Sequence, residues 1–167
     1  MLEDHAKLMA VLQHAGEIAG RKKLQKIIFI AKKLKYPFHE KYHYHFYGPY
    51  SEELTLRVEE LCNLGFLTER KETKSGYAQY CYSLTAEGEK FLHHYDVDMP
   101  GLDACIASLN SQNARFLELV STVLHFGHLD RGDVEEKVFR LKRKQRYTKE
   151  DLDRAYTYFE KLRKQCV

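Results

Sequence analysis

The chain has 167 residues, 44% of them hydrophobic, enough apolar material for one compact domain or two small ones sharing a core. Lys plus Arg number 27 against 24 Asp plus Glu, so charge alone does not argue for nucleic acid; its distribution must decide. The N-terminus lacks the basic-then-apolar order of a signal peptide, and the longest apolar run, Ile27 to Ala31, is far too short to span a membrane. Cys62, Cys81, Cys105 and Cys166 form no CxxC pair, which disfavours a zinc site or disulfide framework and fits a reducing cytoplasm.

Residues 4–14 read as a short helix with Leu8, Val11 and Leu12 on one face, followed by Gly16 and Gly20. The strongest helical pattern comes next: Leu24, Ile27, Ile28, Ala31 and Leu34 make one apolar stripe. The opposite surface is expected to carry Arg21, Lys22, Lys23, Lys26, Lys32, Lys33 and Lys35, with no acid among them, and Pro37 closes the region. The aromatic run at 42–47 predicts a strand broken by Gly48-Pro49. Ser51 then caps a third helix that buries Leu54, Val58, Leu61 and Cys62 and stops at Gly65.

Phe66 to Glu72 and Ala78 to Leu84 predict two strands around a polar turn, and Thr85 caps a fourth helix bearing Phe91 and Leu92. Asp96 to Gly101 reads as a linker. Beyond it, three amphipathic helices are predicted over about 102–126, 131–145 and 149–165, the last capped by Thr148. The expected fold class is mainly α (α+β): a winged helix with a two-stranded wing over residues 1–95, a linker at 96–101, and a helical region at 102–167. That region would pack on the first or form a dimer interface.

The segment Lys23-Leu24-Gln25-Lys26-Ile27-Ile28-Phe29-Ile30-Ala31, followed by Phe46-Tyr47-Gly48-Pro49-Tyr50-Ser51, resembles the signature of the SocA-like antitoxin (Panacea) superfamily. Over its full length the chain resembles the YwgA-type proteins of Bacillus. The first resemblance implies a regulatory protein that grips another protein, in some cases with DNA-related roles.

In a winged helix the third helix is the one that enters the major groove. Here residues 51–65 hold Glu52, Glu53, Glu59 and Glu60 against one base, Arg57, a poor match to a polyanion. The expected function is therefore non-enzymatic regulation through protein–protein contact, with DNA-binding transcriptional regulation as the alternative. Phe46, Tyr47, Tyr50, Leu56, Glu59 and Glu60 are the candidate partner-binding residues, since tyrosines around a rigid turn suit recognition. Lys22, Lys23, Lys26, Arg140, Lys142, Arg143, Lys144 and Arg146 are candidates for a basic surface meeting nucleic acid or an acidic partner. A protein partner of unspecified identity is expected; nucleic acid and a second copy of the chain stay open, and no membrane contact is expected. His43 and His45, and His125 and His128, pair by spacing but lack an evident third ligand, so no metal, cofactor or catalytic residue is assigned.

Overall fold

The computed structural model describes residues 2–166. Helix α1 (Glu3–Ala15) is buried from Ala6 through Leu12 and ends at Gly16. Strand β1 (Ile18–Ala19) is two residues long, too short to leave a periodic signature, and was not expected. Helix α2 (Arg21–Lys33) is buried over eight consecutive residues, Leu24 to Ala31. Its single apolar stripe therefore understates its position. It is the central helix, in contact with β1 and with strands and C-terminal helices that follow in the chain.

Helix α3 (Glu52–Asn63) begins where expected: the Ser51 hydroxyl accepts from the Leu54 N–H at 3.1 Å. Strands β4 (Leu67–Lys74) and β5 (Tyr77–Leu84) pair antiparallel from Leu67 opposite Leu84 to Lys74 opposite Tyr77, forming the wing. Strand β1 adds to the other edge of β5, with Ile18 opposite Tyr82, giving the order β1-β5-β4. A short strand paired to the second strand of a hairpin that follows two helices is the winged-helix arrangement, so the expected fold class stands. Helix α4 (Ala86–His93) follows, capped by the Thr85 hydroxyl.

Between α2 and α3 lies a second hairpin, β2 (His43–His45) with β3 (Gly48–Tyr50). Gly48-Pro49 was expected to break a strand; instead it begins the returning one, after a two-residue turn at Phe46-Tyr47. Gly48 has φ +89°, and a Cβ there would lie 3.3 Å from the Thr122 hydroxyl and 3.6 Å from Lys26 Nζ. Angle and crowding both call for glycine.

The C-terminal region differs from three uninterrupted helices. The span expected at 102–126 is divided into α5 (Leu102–Ser111) and α6 (Ala114–His125). Gln112 is extended, and Asn113 restarts the helix by accepting from the Phe116 N–H at 2.8 Å. Helix α7 (Arg131–Leu141) stops short of 145, and a 3-10 turn, Arg143–Gln145, ends at Arg146 with φ +55°. Helix α8 (Lys149–Cys166) closes the fold; the Thr148 hydroxyl accepts from the Asp151 N–H while the Asp151 carboxylate accepts from the Thr148 N–H.

Helix α5 packs on α1, α6 on α2, and α8 on both α5 and α6. Buried apolar residues of the winged helix and of the C-terminal helices join in one cluster. The segment 96–101 is irregular but tied down, with Met99 buried and the Tyr36 hydroxyl donating to the carbonyls of Pro100 (3.0 Å) and Cys166 (3.2 Å). Among the described residues, no helix is long and apolar enough to cross a membrane.

Candidate functional site

The two motifs singled out in the sequence bind one another. Gln25 on α2 clamps the start of α3: its side-chain amide donates to the Ser51 carbonyl at 2.9 Å and accepts from the Ser51 N–H at 2.8 Å. Lys26 donates to the Pro49 carbonyl at 2.7 Å, and Lys23 donates to the Asn110 carbonyl on α5 at 2.6 Å. Each polar residue of Lys23-Leu24-Gln25-Lys26 thus satisfies a backbone group on a neighbouring element. A buried carbonyl without a strand partner needs a donor, and lysine brings three on a long apolar stem.

This use of lysine recurs. Among the described residues, Lys7 donates to the Pro37 carbonyl (2.9 Å), Lys32 to that of Glu40 (2.5 Å) and Lys142 to that of Phe46 (3.1 Å). Two candidates for a basic surface are consequently not on the surface: Lys26 is 2% exposed and Lys142 is 5% exposed. Lys23 is half-buried. Lys22, Arg140, Arg143, Lys144 and Arg146 are exposed.

The α2 cluster and the C-terminal cluster do meet, but inward. Lys26 and Lys142 converge beneath the hairpin on Glu118 of α6, itself buried, with Lys142 Nζ 3.8 Å from its carboxylate. Burial, incompletely offset by Glu118 and aggravated by Lys142 and Lys22, lowers the Lys26 pKa to about 8. Burial likewise lowers that of Lys142. Above them the hairpin tip faces out. Phe46 is 80% exposed and Tyr47 48%, and Lys22 Nζ sits 3.5 Å over the Tyr47 ring. Tyr50 is turned partly inward, its hydroxyl 2.8 Å from that of Thr55.

The outer face of α3 carries Glu52, Leu56, Glu59, Glu60 and Asn63, all exposed; Leu56 is 57% exposed. Glu60 lies 3.6 Å from the His5 ring and Glu53 accepts from the Lys41 N–H, while no ion pair engages Glu52 or Glu59 among the described residues. Arg57, the one base on the helix, is turned away. Its guanidinium pairs with the buried Glu40 carboxylate and lies 3.4 Å from Asp4. No local pattern signals this, because the direction of Arg57 depends on a loop that returns from α2. A cleft of about 200 Å³ separates α3 from the wing, and its polar groups engage one another: the Tyr82 hydroxyl donates to Glu69 at 2.7 Å and accepts from Arg21 at 3.3 Å.

His43 and His45 are exposed on one side of β2. Glu17, Glu72 and Cys81 come together, a grouping not anticipated, but Arg70 bridges the two carboxylates at 3.0 and 2.6 Å. His125 and His128 line a groove with Lys33, Lys35, Arg163 and Lys164, residues that no local pattern joined.

No protein-family model matches the chain. The crystal structure of Bacillus subtilis PadR in complex with operator DNA overlaps 96% of this chain and 94% of its own, at 16% identity and a TM-score of 0.39, too distant a likeness to carry an argument. The uncharacterized protein YwgA of Bacillus subtilis (strain 168) is 60% identical over 166 residues, covering 99% of this chain and 100% of the relative. With that identity along its whole length, the chain belongs to the YwgA family.

Proposed function

We propose that this protein is a non-enzymatic winged-helix regulator that acts by gripping a protein partner through the outer face of α3. The observation that carries this reading is the charge of that face: Glu52, Glu59 and Glu60 surround the exposed Leu56, and the only base on the helix, Arg57, is committed to Glu40. Such a surface repels phosphate but suits a basic segment carrying an apolar side chain to cover Leu56. The likeness of the Lys-Leu-Gln-Lys and Tyr-Gly-Pro motifs to those of SocA-like antitoxins fits the same reading.

Photo-crosslinking from position 56 in cells tests it. A photoreactive phenylalanine at Leu56 is expected to give a discrete protein adduct that disappears with Glu59→Lys/Glu60→Lys. An adduct to DNA, or one indifferent to the charge reversal, would overturn the reading.

A second reading has its own support. The exposed Phe46–Tyr47 tip has Lys22 against it, and Lys142 ties the tip to the turn bearing Arg143, Lys144 and Arg146, none of which is in an ion pair among the described residues. Exposed aromatics beside unpaired cations are the elements of a nucleic-acid contact. Under this reading the chain regulates through DNA or RNA held at the hairpin tip rather than by α3.

A further inference from the structure

At the C-terminal end of α2 the molecule has a second concave surface, unrelated to α3. A groove of about 690 Å³ runs between the end of α2, the turn after α6 and the last turns of α8. Leu34, Leu124 and Phe159 give it an apolar floor, and Lys33, Lys35, Arg163, Lys164, His125 and His128 line the rest. Among the described residues no carboxylate lines it. Arg163 has Glu160 at 3.4 Å, whereas Lys33, Lys35 and Lys164 are in no ion pair among the described residues. A second hollow of about 430 Å³ continues it, sharing Lys33, Lys35 and His125 and adding Lys32, Phe29 and Tyr42.

Cations near helix C-termini complement the helix dipole, which accounts for Lys33 and Lys164 taken singly. It does not account for Lys35. Helix α2 ends in a Schellman motif, with the Tyr36 N–H bonded to the Ala31 carbonyl (3.2 Å) and the Lys35 N–H to that of Lys32 (3.0 Å). The position that closes this motif is left-handed and favours glycine, yet it holds Lys35 at φ +77°. A lysine is kept in a backbone conformation that suits it poorly, and its cation is spent on the groove. Mutual repulsion shows in Lys33, whose pKa is lowered by burial first and then by Lys35 and Lys32. The same causes, burial and then Lys33, lower that of His125.

We infer that this groove binds a small organic anion, with the apolar part of the ligand on Leu34, Leu124 and Phe159 and its phosphate or carboxylate among Lys33, Lys35, Arg163 and Lys164. Its volume lies in the range of small-molecule sites, and an apolar floor with convergent charges of one sign selects a ligand with both characters.

Calorimetric titration of the full chain with 2-naphthyl phosphate tests the assignment, with 2-naphthoate, 2-naphthol and inorganic phosphate in parallel. Naphthyl phosphate or naphthoate is expected to bind at one site at least tenfold more tightly than naphthol or phosphate, and the better of the two identifies the head group. Lys35→Gly is the informative variant, because glycine relieves the left-handed backbone: it should raise Tm by about 2–4 °C while weakening binding at least fivefold. Lys164→Glu should weaken binding at least tenfold. The inference is overturned if neither composite anion binds, if inorganic phosphate alone binds as well, or if affinity is unmoved by both variants. Binding only of a random oligonucleotide, lost with the same variants, would overturn it in favour of a polyanion track.

Discussion

The two ends of α2 use the same residue type in opposite ways. In its first half, Lys23 and Lys26 bend inward and end on the carbonyls of Asn110 and Pro49. At its last residue and just beyond, Lys33 and Lys35 have neither a carbonyl nor a carboxylate partner among the described residues and border an open groove. The helix is about 20 Å long at 1.5 Å per residue, so the two uses are well separated. A lysine count cannot distinguish them. The difference lies in what the neighbouring backbone leaves unsatisfied: the short β2–β3 hairpin and the end of α5 present orphan carbonyls to the first half, while at the far end the Glu40 carbonyl is taken by Lys32, and Lys33 and Lys35 are left facing other cations.

Arg57 offers the severest way to break this comparison, because the acidic character of α3 depends on its being spent inward. Replacing it (Arg57→Met) strands the buried Glu40 carboxylate, and breaking a buried pair in this way costs about 3–5 kcal/mol. Urea unfolding at neutral pH measures it. A loss under about 1 kcal/mol, the value of an exposed pair, would mean that Arg57 is free to face a partner, and the argument from the charge of α3 would fail.

Lys26→Met is the next largest test. It leaves the Pro49 carbonyl unpaired and removes a countercharge from Glu118, a loss of about 2 kcal/mol at pH 7. The pH dependence is more diagnostic. With its folded pKa near 8 against an ordinary 10.5, Lys26 binds fewer protons folded than unfolded across that interval. Lys26 therefore contributes stability that grows as pH increases from about 8 to 10, read as the difference between wild type and Lys26→Met, because the four buried or half-buried thiols, raised from 9.0, oppose it in the wild type itself. Above pH 10 the tyrosines add to that opposition, because burial raises Tyr36 and Tyr44 to about 12 and the folded state then holds the extra protons. The stability gap between wild type and Lys26→Met should widen from about pH 8 to 10, while the opposing contribution of the thiols and tyrosines is common to both. Lys23, Lys33 and Lys142 are lowered in the same direction by burial and contribute alike to both proteins, so they cancel in that gap.

Elements whose signal is local were legible in the sequence. The wing announced itself by two β-rich runs around a polar turn, and α3, α4 and α8 by Ser51, Thr85 and Thr148, each of which caps as expected. Strand β1 was not, since two residues carry no period and its pairing with Tyr82 and Cys81 is settled across the chain. The break between α5 and α6 has one local mark, the N-cap Asn113, set between stretches whose apolar periodicity continues on either side. For the site the same divide holds. The glutamates of α3 were legible because exposed charges stay where the helix puts them. The inward turn of Lys26, Lys142 and Arg57 was not, since a long side chain chooses its direction by tertiary partners. The groove was invisible because Lys35 and Lys164 come from opposite ends of the chain.

The smallest effect on stability is expected at the cations that remain free beside the hairpin tip, and this is what makes them useful. Arg143 and Lys144 are exposed and outside any ion pair among the described residues, so Arg143→Ala/Lys144→Ala should stay within about 0.5 kcal/mol of wild type. Their buried neighbour Lys142 should not be so tolerant, because it holds the Phe46 carbonyl. With folding unperturbed, duplex titration at several salt concentrations reads function alone. If the hairpin tip holds nucleic acid, wild-type affinity falls steeply with salt, and the double variant lowers the magnitude of that log–log slope by about 2, one for each phosphate contact removed. If the chain works through α3 instead, there is no duplex binding for the substitutions to weaken, and the photo-crosslink from position 56 survives them. The two readings thus give opposite outcomes in one stable variant, and the choice between them rests on which surface the free charges serve.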